Sequence, residues 1–317
     1  MRAGGRLEAA LIAGALGSLI AAQSRINGEL AHHVGTGLFP AWLTMTTGSV
    51  LLLVIVLPRR AGRAGLRTVA AQARARVLPW WAFTGGVFGS LFLVSQSISV
   101  PVVGVAVFTV AVVAGQASGS LIADRLGLTG TGRRAVTARR VVASVLAVVA
   151  VGIGVSDRLS TASGVGVLAV LAFIAGMLLA PQQAFNGRVG MAAKDPFVGA
   201  LGNFLGGVVV MSLVLGGAML VSLKLDSPGT APWWSYLGGL LGFAVIAGGA
   251  YTVPILGVLV YSLLSVFGQL AGAVILDLVV PTPGTSVGWH LFAGVGVTFL
   301  AILVATAPGL RRTQTRV

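Results

Sequence analysis

The chain has 317 residues, of which 56% are hydrophobic, 9% are charged and none is cysteine. A soluble domain carries about 25% charge, so a soluble enzyme or nucleic-acid-binding domain is excluded as the main body, and disulfides and thiolate chemistry are excluded with the cysteines. The net charge of +14 comes from arginines in short stretches between apolar runs, which reads as membrane topology and not as a nucleic-acid surface.

The first segment, "MRAGGRLEAALIAGALGSLIAAQS", has the basic start and apolar run of a signal peptide. Glu8 interrupts that pattern, and a counterpart of the segment recurs near residue 170. It is therefore expected to be the first transmembrane helix. Apolar runs then follow, each long enough to cross ~30 Å of hydrocarbon as a helix. In chain order the predicted spans are 8–30, 36–57, 79–99, 101–123 and 137–156, then 163–190, 196–222, 232–252, 254–278 and 287–307. Arg- and Gly-rich stretches such as "PRRAGRAGLRT" and "GLTGTGRRAVTARR" read as the loops between them. The expected fold class is an all-α polytopic membrane protein with ten transmembrane helices.

The two halves are copies. At an offset of 159, "AAQSRINGELAHHVGTGLFPAWL" lies over "APQQAFNGRVGMAAKDPFVGALG" without a gap. At an offset of 153, "PWWAFTGGVFG" lies over "PWWSYLGGLLG", and the match continues from "SVPVVGVAVFTVAVVAGQASGSLIAD" to "TVPILGVLVYSLLSVFGQLAGAVILD". Residues 1–158 and 159–317 are thus two five-helix repeats. Five is odd, so the second repeat is expected to enter the membrane from the opposite side. With both termini cytoplasmic, 18 of the Lys and Arg residues fall inside and only Arg25, Arg158 and Lys224, 3 in all, fall outside. That split obeys the positive-inside rule. Inverted repeats are a recurring plan of secondary transporters.

Amides inside apolar helices need a partner or a water-filled cavity. Gln23 and Asn27 share one helix face at four-residue spacing, and Gln182 and Asn186 repeat them. Gln116 and Gln269 are a third matched pair, each inside Gly-x-x-x-Gly, in "GQASG" and "GQLAG". These six are the candidate substrate-binding residues, as against interhelical glue, whereas the Gly-x-x-x-Gly elements themselves read as packing. Gln183, Asn203 and Gln96 have no amide at their matched positions. Glu29, within reach of Arg25, is a candidate coupling residue near the outer interface. Asp124 and Asp277 occupy matched positions that inversion sends to opposite sides, so they read as structural. His32, His33 and His290 form no metal-binding spacing, and no nucleophile or phosphate-loop motif is present. No catalytic residue, metal or cofactor is expected. The Trp-Trp pairs at 80–81 and 233–234 read as interfacial anchors.

The repeated Gln-x-x-x-Asn-Gly and the longer "VP…G…GQ…G…D" pattern resemble the YdcZ-like branch of the drug/metabolite transporter superfamily, in a fused form with both units on one chain. The resemblance implies a multi-pass transporter of the cytoplasmic (inner) membrane that exports a small polar or amphipathic metabolite or drug by alternating access. Its partners would be the solute and the bilayer, with no nucleic acid, as a monomer or homodimer. The superfamily's fold implies a central cavity between helices one, three, four, six, eight and nine. Helix one here lacks the mid-membrane glutamate that carries protons in small multidrug resistance relatives. A lipid-carrier flippase and a non-transporting assembly subunit are the alternatives: the first needs a pathway open to lipid, the second amides paired without a cavity.

Overall fold

Backbone amides find no water in hydrocarbon, so each apolar run has to close its own hydrogen bonds as a helix. The computed structural model describes residues 3–128, 137–156, 164–226, 228–281 and 288–306. Within them every regular element is helical. The α-helices are α1 (Ala3–Val34), α2 (Leu38–Val56), α3 (Arg60–Arg74), α4 (Gly85–Leu126), α5 (Ala138–Val155), α6 (Val165–Ala193), α7 (Pro196–Val221), α8 (Gly238–Leu256), α9 (Val258–Val279) and α10 (Trp289–Thr306). Among the described residues seven helical stretches are long and apolar enough to cross a membrane, and Val141–Gly154 and Trp289–Val304 are shorter apolar helices. Leu213, Leu220 and Val221 of α7 are 72%, 90% and 85% exposed, which suits a face turned to acyl chains and not to water.

Two features depart from the sequence expectation. The stretch expected as a loop at residues 58–68 contains the start of α3, a helix with Gly62, Gly65 and Val69 buried on one side and Arg60, Arg63, Arg67 and Arg74 exposed. Its polar average hid it from a search for apolar runs. A basic amphipathic helix of this kind lies in the interface instead of spanning. It packs on the α6–α7 turn, where Gly65 meets Ala193 and Val198. The second is one of position: the spans expected at 79–99 and 101–123 are present as the two arms of α4, after a 3-10 turn at Trp80–Phe83, with the break a few residues later than expected.

The break in α4 falls at Gly104, three residues after Pro101. Proline has no N–H to continue the ladder, and Gly104 takes φ 79, ψ 165, a conformation that glycine alone adopts cheaply. The second half does the same: Pro254 lies in α8, and Gly257, at φ 79, ψ 156, separates α8 from α9. The N–H groups of Val105 and Ala106, at the start of the second arm of α4, donate to Asp277 Oδ1 and Oδ2 at 3.0 and 2.8 Å. Asp277 is 2% exposed and caps a helix N-terminus, where a carboxylate is favourable. The side chain of Asp124 lies outside the described residues. Asp277→Asn keeps one acceptor and turns an NH₂ group toward a backbone donor. We expect it to lower stability by about 1–3 kcal/mol, read as membrane abundance and thermal unfolding, with the pH dependence of transport unchanged.

The Gly-x-x-x-Gly elements join the halves. Gly115 and Gly119 of α4 lie against Phe173 and Met177 of α6, while Gly268 and Gly272 of α9 lie against Gly14 and Ser18 of α1. These are matched contacts, offset by 153 on one side and by 159 on the other. Ser18 Oγ also donates to the Gly268 carbonyl at 2.9 Å. Where α2 meets α7, Gly48 faces Phe204 and Gly207 faces Met45, again matched positions. The second arm of α4 is buried on all sides, from Val105 to Ala114, so it forms the centre of the bundle. Trp80 and Trp233 are 78% and 77% exposed at the starts of their turns, as interfacial anchors would be.

Candidate solute pathway

Glycines set the geometry of the site by letting helix backbones come up to amide side chains. A Cβ added at Gly89 of α4 would stand 2.5 Å from Gln182 Nε2, and one at Gly242 of α8 would stand 2.6 Å from Gln23 Nε2. Gly85 and Gly238 likewise leave room for the Asn186 and Asn27 side chains. Each half therefore presents a glycine face to the amide pair of the other half.

Between α1, α2, α4, α6, α7, α8 and α9 lies a cavity of about 270 Å³. Five of the six candidate amides line it: Gln23, Gln116, Gln182, Asn186 and Gln269. Asn27 does not line it. It is 1% exposed, and its Oδ1 accepts from Thr44 Oγ1 at 3.1 Å. Gln23 Nε2 donates to the Gly238 carbonyl at 2.8 Å, and Gln182 Nε2 donates to Asn203 Oδ1 at 3.1 Å. Gln116, Asn186 and Gln269 have no hydrogen-bond partner for their side chains among the described residues. Gln269 is only 6% exposed and lines the cavity.

Glu29 is placed elsewhere. Its carboxylate lies 3.6 Å from Arg25 Nη2 and 3.6 Å from His33 Nδ1, and it lines neither described cavity. Among the described residues no group of three His, Asp or Glu side chains is arranged to hold a metal ion.

Sequence reasoning missed the contribution of α2 and α7. Thr44 and Met45 of α2 line the cavity, as do Asn203 and Phe204 of α7 and Phe92 of α4. A signal existed, because Thr44 matches Asn203 and Met45 matches Phe204 at the offset of 159. Asn203 has a polar counterpart of another residue type, which a search for paired amides passes over.

The two ends of the cavity differ. A second cavity of about 470 Å³ shares Gln183, Asn186, Asn203 and Ile246 with the first and reaches Lys194, Asp195 and Pro196 at the α6–α7 turn. Asp195 there pairs with Arg59 Nη1 at 3.1 Å and caps α7 through the Phe197 N–H at 2.9 Å. At the opposite end, a Cβ on Gly28 would stand 3.1 Å from Val100 Cβ, whereas one on the matched Gly187 meets nothing within 4 Å. The matched positions of Val100 and Pro101 are Val253 and Pro254, and Pro254 is exposed. One end is shut by packing and by the Asn27–Thr44 bond, and the other is open.

A family model described as "Putative inner membrane exporter, YdcZ" matches the chain over residues 9–153 and 167–304. No curated protein matches it.

Proposed function

The chain belongs to the YdcZ family of inner-membrane exporters, in the form that carries two repeats on one polypeptide, and on that premise we propose an alternating-access carrier for a small polar or amphipathic solute. That it is a multi-pass membrane transporter follows from the family and the apolar helices. The proposal adds ten spans, counting the two arms of α4 separately, in two inverted repeats with both termini cytoplasmic and a boundary near residue 158. It adds export as the direction, and Gln23, Gln116, Gln182, Asn186 and Gln269 as the solute-binding residues, with Asn27 supporting the closed end through Thr44.

The observation that carries this reading is the convergence of five matched amides from both halves on one cavity. Amides serving only as glue would be paired helix to helix, and three of the five are not. The difference between the ends is what two gates around one site require of a carrier caught open to one side. By the charge split, the open end at Lys194 is the cytoplasmic one.

The test uses a metabolite extract in proteoliposomes, with the solutes moved identified by mass spectrometry, followed by Asn186→Leu and Gln23→Leu. Both replacements keep roughly the same size and remove hydrogen-bonding capacity. A pathway role gives near-normal membrane levels and transport reduced several-fold. Asn186→Leu is the cleaner arm, because Gln23 also bonds the Gly238 carbonyl. Glue would instead lower stability by roughly 0.6–2 kcal/mol and leave activity per folded molecule intact, and that result would end the assignment.

A further inference from the structure

We propose that the cavity selects uncharged solutes carrying a carboxamide, and that Gln269 and Gln116 are the groups that bind it. The inference rests on the transporter reading and gives it a substrate class. No ionisable side chain lines the central cavity among the described residues. The nearest charges at the open end, Lys194 and Asp195, stand at the mouth, where Asp195 is already paired with Arg59. At the closed end Glu29 faces Arg25. An ion entering the cavity would leave water and find no opposite charge, an arrangement that is strongly unfavourable.

The amides are not equivalent in what they have left to offer. Gln23 and Gln182 spend an N–H on the protein. Gln269, although 6% exposed, and its repeat counterpart Gln116 spend neither donor nor acceptor among the described residues. Both line the cavity, so their donors and acceptors are free to serve a ligand group or water. Each follows the first glycine of its Gly-x-x-x-Gly element, and Gly268 and Gly115 are pressed against the backbones of α1 and α6. The two side chains therefore project from fixed backbone.

A primary amide presents one carbonyl and two N–H groups. A carboxamide solute can accept from a glutamine NH₂ and donate to its carbonyl at once, and the same pairing is available at the second glutamine. A carboxylate can only accept and an amidinium can only donate, so either leaves half of each glutamine unmatched. Phe92, Phe204 and Met45 provide an apolar wall beside the amides, suited to an attached ring or short apolar body.

Three probes of the same shape separate these chemistries: benzamide, benzoate and benzamidinium. Equilibrium dialysis of each against the full chain in nanodiscs should give benzamide an affinity at least about tenfold above both ions. Gln269→Leu and, separately, Gln116→Leu should each weaken benzamide by about tenfold while thermal unfolding stays close to wild type. Should the leucine variant at 269 fail to fold, Gln269→Asn, which keeps the amide on a shorter stem, is expected to show the same direction of loss. An ion that binds as tightly as benzamide and is sensitive to Gln269→Leu overturns the selection for uncharged solutes and leaves the carrier reading intact. Benzamide binding that ignores both variants, or no binding of any probe, overturns the carboxamide assignment. Solute movement by the wild type in proteoliposomes then decides separately whether the carrier reading survives.

Discussion

Gly115→Leu and Gly268→Leu each prevent the folded protein from accumulating in the membrane; this is the largest stability effect expected of any single change here. The reason lies in what the new side chain meets. A Cβ at Gly115 would overlap the Phe173 carbonyl, and one at Gly268 would overlap the Gly14 carbonyl. Both obstacles are backbone, so no side-chain rotation relieves them and the helices have to separate. Overpacking in ordinary cores costs about 1–3 kcal/mol, and separating two helix pairs that hold the halves together exceeds that range. In a membrane, association depends on close packing because lipid is as apolar as the helices. Gly217 on α7, exposed and with nothing within 4 Å of an added Cβ, supplies the control: Gly217→Leu should accumulate as wild type does. Membrane abundance and monodispersity after extraction measure both. Wild-type levels of Gly115→Leu and Gly268→Leu would mean that the α4–α6 and α1–α9 contacts do not hold the halves together.

The legibility of these contacts in the sequence was uneven for physical reasons. A helix surrounded partly by lipid is apolar on all faces, so its apolar content reveals that it crosses and says little about which side faces the protein. Small residues and amides are the exceptions. Gly115, Gly119, Gly268 and Gly272 marked interfaces, and Gln23, Gln116, Gln182, Asn186 and Gln269 marked the cavity, because each is expensive or pointless against acyl chains. Thr44 was quieter, since a hydroxyl can satisfy itself on its own helix backbone and is common in spans. Phe92 and Phe204 were silent, because an aromatic ring suits lipid and cavity equally well. The repeat offset marks Thr44 through its match to Asn203, whereas it pairs Phe204 only with the apolar Met45.

Helix boundaries depended on competing local effects. Pro101 marked a break, but the chain turns at Gly104, where the backbone can take the positive φ, and Asp277, distant in sequence, accepts the N–H groups freed there. The pairing of a proline-glycine break with a carboxylate on another helix is a tertiary fact that no window of sequence contains. Helix α3 was missed for the opposite reason. Its Arg60, Arg63, Arg67 and Arg74 dominate the average, while the face that packs is built from Gly62 and Gly65, residues that signal loops in a linear reading.

A disulfide between cysteines placed at Gly28 and Val100 is expected to abolish transport, and reductant is expected to restore it. The chain has no cysteine of its own, so the engineered pair reacts alone. The Cβ atoms at these positions would stand 3.1 Å apart, a few tenths of an ångström short of the usual ~3.5–4.5 Å of a disulfide, a gap that a small shift of α1 closes. The bond would staple α1 to the first arm of α4 at the end that is already shut, beside the Asn27–Thr44 contact. A carrier working by alternating access has to part these helices once per cycle, so the staple holds it open to one side only. The matched pair, Gly187→Cys with Val253→Cys, behaves differently. Nothing lies within 4 Å of a Cβ at Gly187, so cross-linking in the resting protein should be poor. It should rise when a solute gradient drives the carrier through its cycle, because the second half then adopts the packing the first half shows now. The yield of each disulfide on non-reducing gels, with and without a gradient, reads the two states directly. If the 28–100 disulfide forms in full and transport continues unchanged, the shut end never opens, and the two-gate reading of this cavity is wrong.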